Sequence, residues 1–301
     1  MANFRRNHSG GGMSGEMLTK FGLFGVIFAI IFFIYTPAEN DDRIELPSPS
    51  DIVVSGDPNA SASYLPSSNG QVVYHKYYTL SYIEQHEQAE WVAYEITRDQ
   101  LNTKRVPRSN DFREDPLVTT RSASKWDYKR SGYDRGHLAP AGDMGYNETA
   151  MSETFFMSNM SPQLRHFNGG VWRELEEQTR DWARKFKKIY VVSGPILNEE
   201  PIDVIGKNNV SVPASYYKVI LDYTDPEVKG IGFVLPNEVS NKPLQDFAMS
   251  IDDVEKITGI DFFENLEGNG DVDEIEKKFN IRNWNFSKKR YNQRVTHWNM
   301  R

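Results

Sequence analysis

Three patterns of apolar and polar positions follow one another along the chain. The first is a continuous apolar run, 21-FGLFGVIFAIIFFIY-35, with no charge inside it. It is apolar on every side of a helix, unlike the one-sided stripe of a core helix. The second, residues 37 to about 69, is rich in Pro, Ser, Asn and Asp (47-PSPSD-51, 56-GDPNASASYLPSSNG-70) and reads as a flexible tether. The third begins at Gln71 and is globular. There 71-QVVYHKYYTLSY-82 and 90-EWVAYEIT-97 predict strands, and 189-IYVVSGPIL-197, 215-SYYKVILDY-223 and 230-GIGFVLPN-237 predict three more. Between the two sets, Val171, Trp172, Leu175, Trp182 and Phe186 recur at three-to-four spacing, which predicts a helix over 170–188. A second helix is predicted over 251–259. Strands and helices do not alternate strictly, so the expected fold is α+β, a mainly antiparallel central sheet flanked by helices.

Arg5, Arg6 and Lys20 precede the apolar run, and Asn40, Asp41 and Asp42 follow it. Fifteen helical residues span about 22 Å, short of the ~30 Å hydrocarbon core, and Leu18, Thr36 and Pro37 can extend them. The exit Phe-Phe-Ile-Tyr-Thr-Pro fits a signal-peptidase site poorly, so an uncleaved anchor is expected and a cleaved signal is the alternative. Positive charge before the run places the rest of the chain outside the cytoplasm, periplasmic or extracellular. The expected organisation is therefore a leader 1–20, a transmembrane anchor 21–36, a linker 37–69, a globular domain 70–267 and an acidic-then-basic C-terminal extension 268–301.

The chain has no cysteine, which excludes disulfides, thiolate-bound zinc, iron–sulfur clusters and a thiol nucleophile. Its net charge of −7 argues mildly against a nucleic-acid-binding domain. Local charge changes that picture. Between Arg98 and His137 stand ten cations and six acids, a local charge of +4. The window ends in the basic and aromatic run 128-YKRSGY-133, which contains Lys129 and Arg130, followed directly by 134-DRGHLAP-140. A Gly10-x-Gly12-x-x-Gly15 spacing in the leader has no strand before it and carries no dinucleotide site.

His137 is one of six histidines. A histidine near neutral pH can take a proton from water. Breaking a phosphodiester also requires neutralising charge on phosphate and leaving oxygen, which a metal ion and arginines can do. In 158-SNMSPQLRHFNGGVWRELEE-177, Asn168, Trp172 and Glu176 are spaced i, i+4, i+8 and would lie roughly along one face if the helix already includes Asn168. Asn168 and Glu176 would then be about 12 Å apart along the axis, too far to share one ion directly. An asparagine carbonyl ligand, with the glutamate acting through water, suits Mg²⁺. His166 is a competing ligand. Asn168 alone could be a helix cap, and Glu176 alone a surface partner of Arg173 or Arg180.

The residues 134-DRGH-137, 159-NMSPQ-163 and 168-NGGVWRELE-176 together resemble the DNA/RNA non-specific endonucleases, the endonuclease G-like members of the ββα-metal (His-Me finger) nucleases. The family's metal-binding asparagine lies thirty-one residues after its histidine, as Asn168 does after His137. The segments 108-RSNDFRED-115, 212-VPASYYKV-219 and 257-ITGIDFFENL-266 resemble further family segments, so the likeness covers about Gln71 to Leu266. It implies His137 as general base, Asn168 as direct metal ligand and Glu176 as a contact to the ion through water. It implies Arg135 and Arg108 as phosphate and transition-state arginines, with Asp134 and Asn159 supporting. Implied too are Mg²⁺, with Mn²⁺ as a substitute, DNA and RNA as substrates, 5′-phosphate products and a homodimer.

The competing reading is a membrane-tethered nucleic-acid-binding protein without cleavage. The tail 281-IRNWNFSKKRYNQRVTHWNMR-301 has no acid and interleaves aromatics with cations. It either stacks on bases or packs on its own domain, and packing is the expectation.

Overall fold

Alternating side chains on long strands build the centre of the molecule. The computed structural model describes residues 64–300 apart from 225, 264 and 267–271. The leader, the apolar run and residues 37–63 of the linker lie outside the described residues. Among the described residues no helix is long and apolar enough to cross a membrane.

The strands are β1 (Gln71–Tyr74), β2 (Thr79–Ile83), β3 (Gln88–Thr97), β4 (Asp134–His137), β5 (Met160–Gln163), β6 (Lys188–Pro195), β7 (Asp203–Ile205), β8 (Val210–Val212), β9 (Ser215–Asp222), β10 (Lys229–Pro236) and β11 (Ala248–Met249). Seven of them form the central sheet in the order β1-β2-β3-β6-β9-β10-β11. Every adjacent pair in it is antiparallel. Two small antiparallel pairs, β4-β5 and β7-β8, stand apart from it. The helices are α1 (Arg98–Asn102), α2 (Glu148–Glu153), α3 (Arg173–Phe186), α4 (Ile251–Thr258), α5 (Val272–Lys277) and α6 (Lys288–Thr296).

Both faces of the sheet are covered, which is why its strands are apolar at consecutive positions. On β3, Val92, Tyr94 and Ile96 join the α3 side, while Trp91 and Ala93 join the α4 side. On β9, Tyr216 and Ile220 face α3, and Tyr217, Val219 and Leu221 face α4. Helix α3 contributes Leu175, Trp182 and Ala183 to the first core. Each large apolar side chain so buried stabilises the fold by roughly 1.5–3 kcal/mol. Helix α4 is capped by the Ser250 hydroxyl at one end and by Gly259 at φ 73° at the other.

The single strand predicted over 71–82 is two strands. Residues 75–78 turn back, with the His75 N–H donating to the Tyr78 carbonyl at 3.0 Å and the His75 ring 2.8 Å from the Asp115 carboxylate. Residues 64–69, assigned to the linker, belong to the folded unit. Tyr64 stacks on Tyr190 at 4.5 Å, and the Trp91 indole donates to the Ser67 carbonyl.

The C-terminal extension packs on the domain rather than offering its aromatics to solvent. Trp284 and Trp298 are buried, and Trp284 meets Trp182 edge-on at 4.9 Å. Arg294 of α6 is fully buried; its guanidinium pairs with Glu174 of α3 and donates to the Ser240 and Lys242 carbonyls. Removing one partner of such a pair leaves a buried charge alone. Arg294→Met should therefore lower the unfolding free energy by about 3–5 kcal/mol, read by urea denaturation. A loss under about 1 kcal/mol would show that the extension does not brace α3.

Candidate active site

Strands β4 and β5 lie side by side with the register Gly136↔Ser161 and His137↔Met160. The 167–172 segment and α3 follow, a β-β-α arrangement. The glycine of 134-DRGH-137 is explained by this pairing: a Cβ at Gly136 would come within 2.1 Å of the Gln163 side chain. Beyond His137 the chain is held by Asn159, which is fully buried. Its Oδ1 accepts from the Ala139 N–H at 2.8 Å, and its Nδ2 donates to the Ala139 and Thr154 carbonyls. The Trp172 indole donates to the His137 carbonyl at 3.3 Å, tying the helical segment to the strand.

The segment 108–115 is zipped onto 155–158. The Met157 N–H donates to the Arg113 carbonyl at 2.8 Å, the Arg113 N–H donates to the Phe155 carbonyl, and the buried Asp115 accepts from Ser158 at 2.5 Å. This brings Phe112 against Phe155, with ring centroids 4.9 Å apart. The His137 ring stands edge-on to both, at 6.0 and 5.0 Å. Each phenyl ring also carries a cation. The Arg135 guanidinium lies 3.9 Å above Phe112, and that of Arg108 lies 4.7 Å above Phe155. The two rings thus fix one imidazole and two guanidiniums in a single cluster.

His137 is only 9% exposed, and its buried Nε2 has no hydrogen-bond partner. Burial, and then the charges of Arg108 and Arg135, push its pKa from 6.5 down to about 3. The ring is therefore held in its neutral form, with a nitrogen lone pair free, and the same shift makes it a weaker base than a solvated imidazole until negative charge offsets the two arginines. The sign fixes the pH window. Stability that depends on the neutral ring is complete above about 6.5 and is lost as pH falls toward about 3. An NMR titration of the His137 ring should show it neutral at pH 5, and a midpoint near 6.5 would contradict this seating.

Asn168 sits half-buried in a π-helical segment, Phe167–Trp172, that precedes α3. Its Nδ2 donates to Asp134 Oδ2 at 3.2 Å, while Asp134 Oδ1 accepts from Arg165. An ionised carboxylate only accepts, so Asp134 fixes which end of the amide faces it and leaves the Asn168 carbonyl oxygen for another partner. The regular helix predicted from 170 is corrected here. Gly170 has non-helical angles (φ −107°, ψ −109°), so the i, i+4, i+8 face from Asn168 to Glu176 is broken. Trp172 is in the core, and Glu176 is half-buried. Burial raises the Glu176 carboxyl above its ordinary range, against the pull of Arg180 and Lys218.

A cleft of about 610 Å³ opens beside the cluster. Lys129, Arg130, Asp134, Arg135 and Asn168 line it, together with Phe112 and Arg165. His137, Arg108, Glu176 and Asn159 do not. His166 is exposed and does not line it either. Among the described residues no group of three or more His, Asp or Glu is placed to hold a metal ion. The oxygen donors near the cleft are few and hard, an amide carbonyl and carboxylates. They suit Mg²⁺, which keeps most of its waters, better than a softer metal that needs several nitrogens or sulfurs.

Two features of the site carried no readable signal. Phe155 stands in the pair 155-FF-156, and nothing in the sequence sets it apart from Phe156. Lys218 occupies an α3-facing position of β9 between Tyr216 and Ile220, fully buried, its Nζ unpartnered and 4.8 Å from the Trp172 ring. Burial lowers its pKa, and the neighbouring Glu176 opposes that shift. Arg180, which the sequence offered as a partner of Glu176, pairs with the buried Asp143 at 2.7 Å, where Asp143 also accepts from Tyr94.

The family model for DNA/RNA non-specific endonucleases matches residues 56–269. The chain belongs to that family. It is 37% identical to the mitochondrial nuclease EXOG of Danio rerio, over 67% of this chain and 64% of that one. It is 36% identical to nuclease C1 of Cunninghamella echinulata var. echinulata, over 73% of this chain and 90% of the relative. Human mitochondrial endonuclease G shares 34% identity over 63% of this chain and 68% of its own. The fold is that of a crystal structure of the EndoG/EndoGI complex, solved to describe EndoG inhibition. The TM-score is 0.63 at 32% identity, covering 69% of this chain and 91% of that one. The match to the zebrafish relative thus leaves about a third of that protein unmatched. The β4-β5-α3 cluster and its cleft lie within the region shared with the family.

Proposed function

We propose that the protein is a metal-dependent endonuclease that hydrolyses phosphodiester bonds of DNA and RNA without sequence preference, leaving 5′-phosphate ends. The observation that carries this reading is the buried imidazole of His137, set edge-on to two phenyl rings that each seat an arginine beside a basic cleft. Family membership supports it, since named relatives are nucleases.

Lys129, Arg130 and Arg135 draw the phosphate backbone into the cleft. Arg135 and Arg108 hold the scissile phosphate and balance the charge that grows on its oxygens. His137 takes a proton from the attacking water, whose oxygen bonds to phosphorus while the bond to the 3′ oxygen breaks. Asp134 holds the Asn168 amide with its oxygen outward, and Asn159 holds the backbone after His137. Mg²⁺, or Mn²⁺ in its place, would be held by Asn168 and, through water, by Glu176, and would supply Lewis-acid stabilisation of the phosphate and leaving oxygen. Lys218 and Arg180 favour the ionised form of Glu176 against its burial.

These groups address phosphate, water and metal, and phosphate contacts carry no direct sequence information. Mixed duplex DNA and structured RNA should both be digested with Mg²⁺ to short products bearing 5′-phosphates, more slowly as salt rises. A single discrete cut site, or complete inertness of either polymer, would overturn the proposal.

A further inference from the structure

Trp126 is an apolar group that this mechanism leaves unused. It is 63% exposed and lines the same cleft as Asn168 and Arg135. The loop around it is fixed in place. Asp127 is buried, and its carboxylate accepts from the backbone N–H groups of Ser124, Lys207 and Asn208 and from the Asn208 side chain, at 2.8 to 3.2 Å. Ala123 and Tyr128 are buried on either side. With its neighbours anchored inward, the indole is held outward. The Nζ atoms of Lys125 and Lys129 lie 5.5 and 5.0 Å from its ring centroid.

A fixed aromatic plane surrounded by cations matches one chemistry well: a nucleobase whose flanking phosphates reach the lysines. Stacking of a base on an aromatic side chain carries roughly 5- to 150-fold in affinity. The exposed lysine contacts that phosphates would draw away carry only about 2- to 5-fold. In a duplex the bases already stack on one another, so the indole gains a partner only when a base is unpaired.

We propose that Trp126 is a stacking platform for an unpaired nucleobase of the bound strand, and that it gives the cleft a preference for single-stranded over duplex nucleic acid. This rests on the nuclease reading only for the class of ligand. The test is independent of cleavage, because it is made in EDTA. The chain has six tryptophans, and the other five are buried, so quenching of its tryptophan emission by acrylamide reports chiefly on Trp126.

A twelve-nucleotide thymidylate strand added to the full chain should protect the emission from acrylamide. Trp126→Ala should weaken binding of that strand roughly 5- to 150-fold, and of a mixed-sequence duplex of the same length less than about 2-fold. Trp126→Phe should retain most of the single-strand affinity. Unchanged quenching at saturating strand, or equal loss for strand and duplex, would overturn the assignment. A wild-type chain that shields Trp126 yet cuts nothing with Mg²⁺ would sink the nuclease reading and leave this one standing. Intact cleavage with an unshielded Trp126 would do the reverse.

Discussion

Replacing His137 with alanine is expected to lower the rate of phosphodiester cleavage by about 10²–10⁴-fold, the usual contribution of a positioned general base. The fold should survive. The backbone of His137 is held by its pairing with Met160, by Trp172 and by the Asn159 bonds that follow it, none of which uses the imidazole. Binding of DNA in EDTA should change little, because Lys129, Arg130 and Arg135 remain. Near-normal cleavage by a folded variant would remove His137 from the mechanism. Loss of cleavage together with loss of the folded state would say nothing of chemistry, so circular dichroism belongs with the rate measurement.

Asn168→Ala is expected to raise the Mg²⁺ concentration for half-activity by about 10–100-fold or more, since even partners that only orient a ligand contribute that much. The variant removes the one amide oxygen that Asp134 leaves facing away from itself. A Mg²⁺ titration of cleavage, paired with direct Mn²⁺ binding by the variant, separates weaker metal binding from a slower chemical step. An unchanged curve would move the ion away from Asn168, toward His166 or a carboxylate elsewhere.

What the sequence made legible, and what it did not, has a physical pattern. Strands β3, β6, β9 and β10 are visible because both their faces are buried, so they are dense in β-branched and aromatic residues. Helix α3 is visible because only one of its faces is buried, and its apolar residues recur at helical spacing. Strands β4 and β5 are four residues each and read as DRGH and MSPQ. Nothing in those residues favours a strand, and Pro162 argues against one. They are strands because they pair with each other. The π-helical segment was hidden because Val171, Trp172 and Leu175 carry the helical spacing up to it, although the adjacent Gly169 and Gly170 were a cue that the helix would not begin regularly. The identities of His137, Arg135, Arg108 and Asn168 come from motif spacing. What brings them together comes from packing: Phe155 under Arg108, the Asp115 bond to Ser158 that docks one segment on the other, and the Asp134 hold on the Asn168 amide. Lys218 stayed hidden because a lysine on the inward face of a strand contradicts the pattern that identifies the strand.

The central claim is that His137, clustered with Arg108 and Arg135 beside the cleft that Asn168 lines, drives metal-dependent cleavage. Incubating supercoiled plasmid with the purified wild-type chain and with His137→Ala, each in Mg²⁺ and in EDTA, tests it most directly. Conversion to open-circular and then linear and fragmented DNA is expected in one lane only, wild type with Mg²⁺. Plasmid left intact by folded wild-type protein in Mg²⁺, or nicked as fast by His137→Ala, would contradict it.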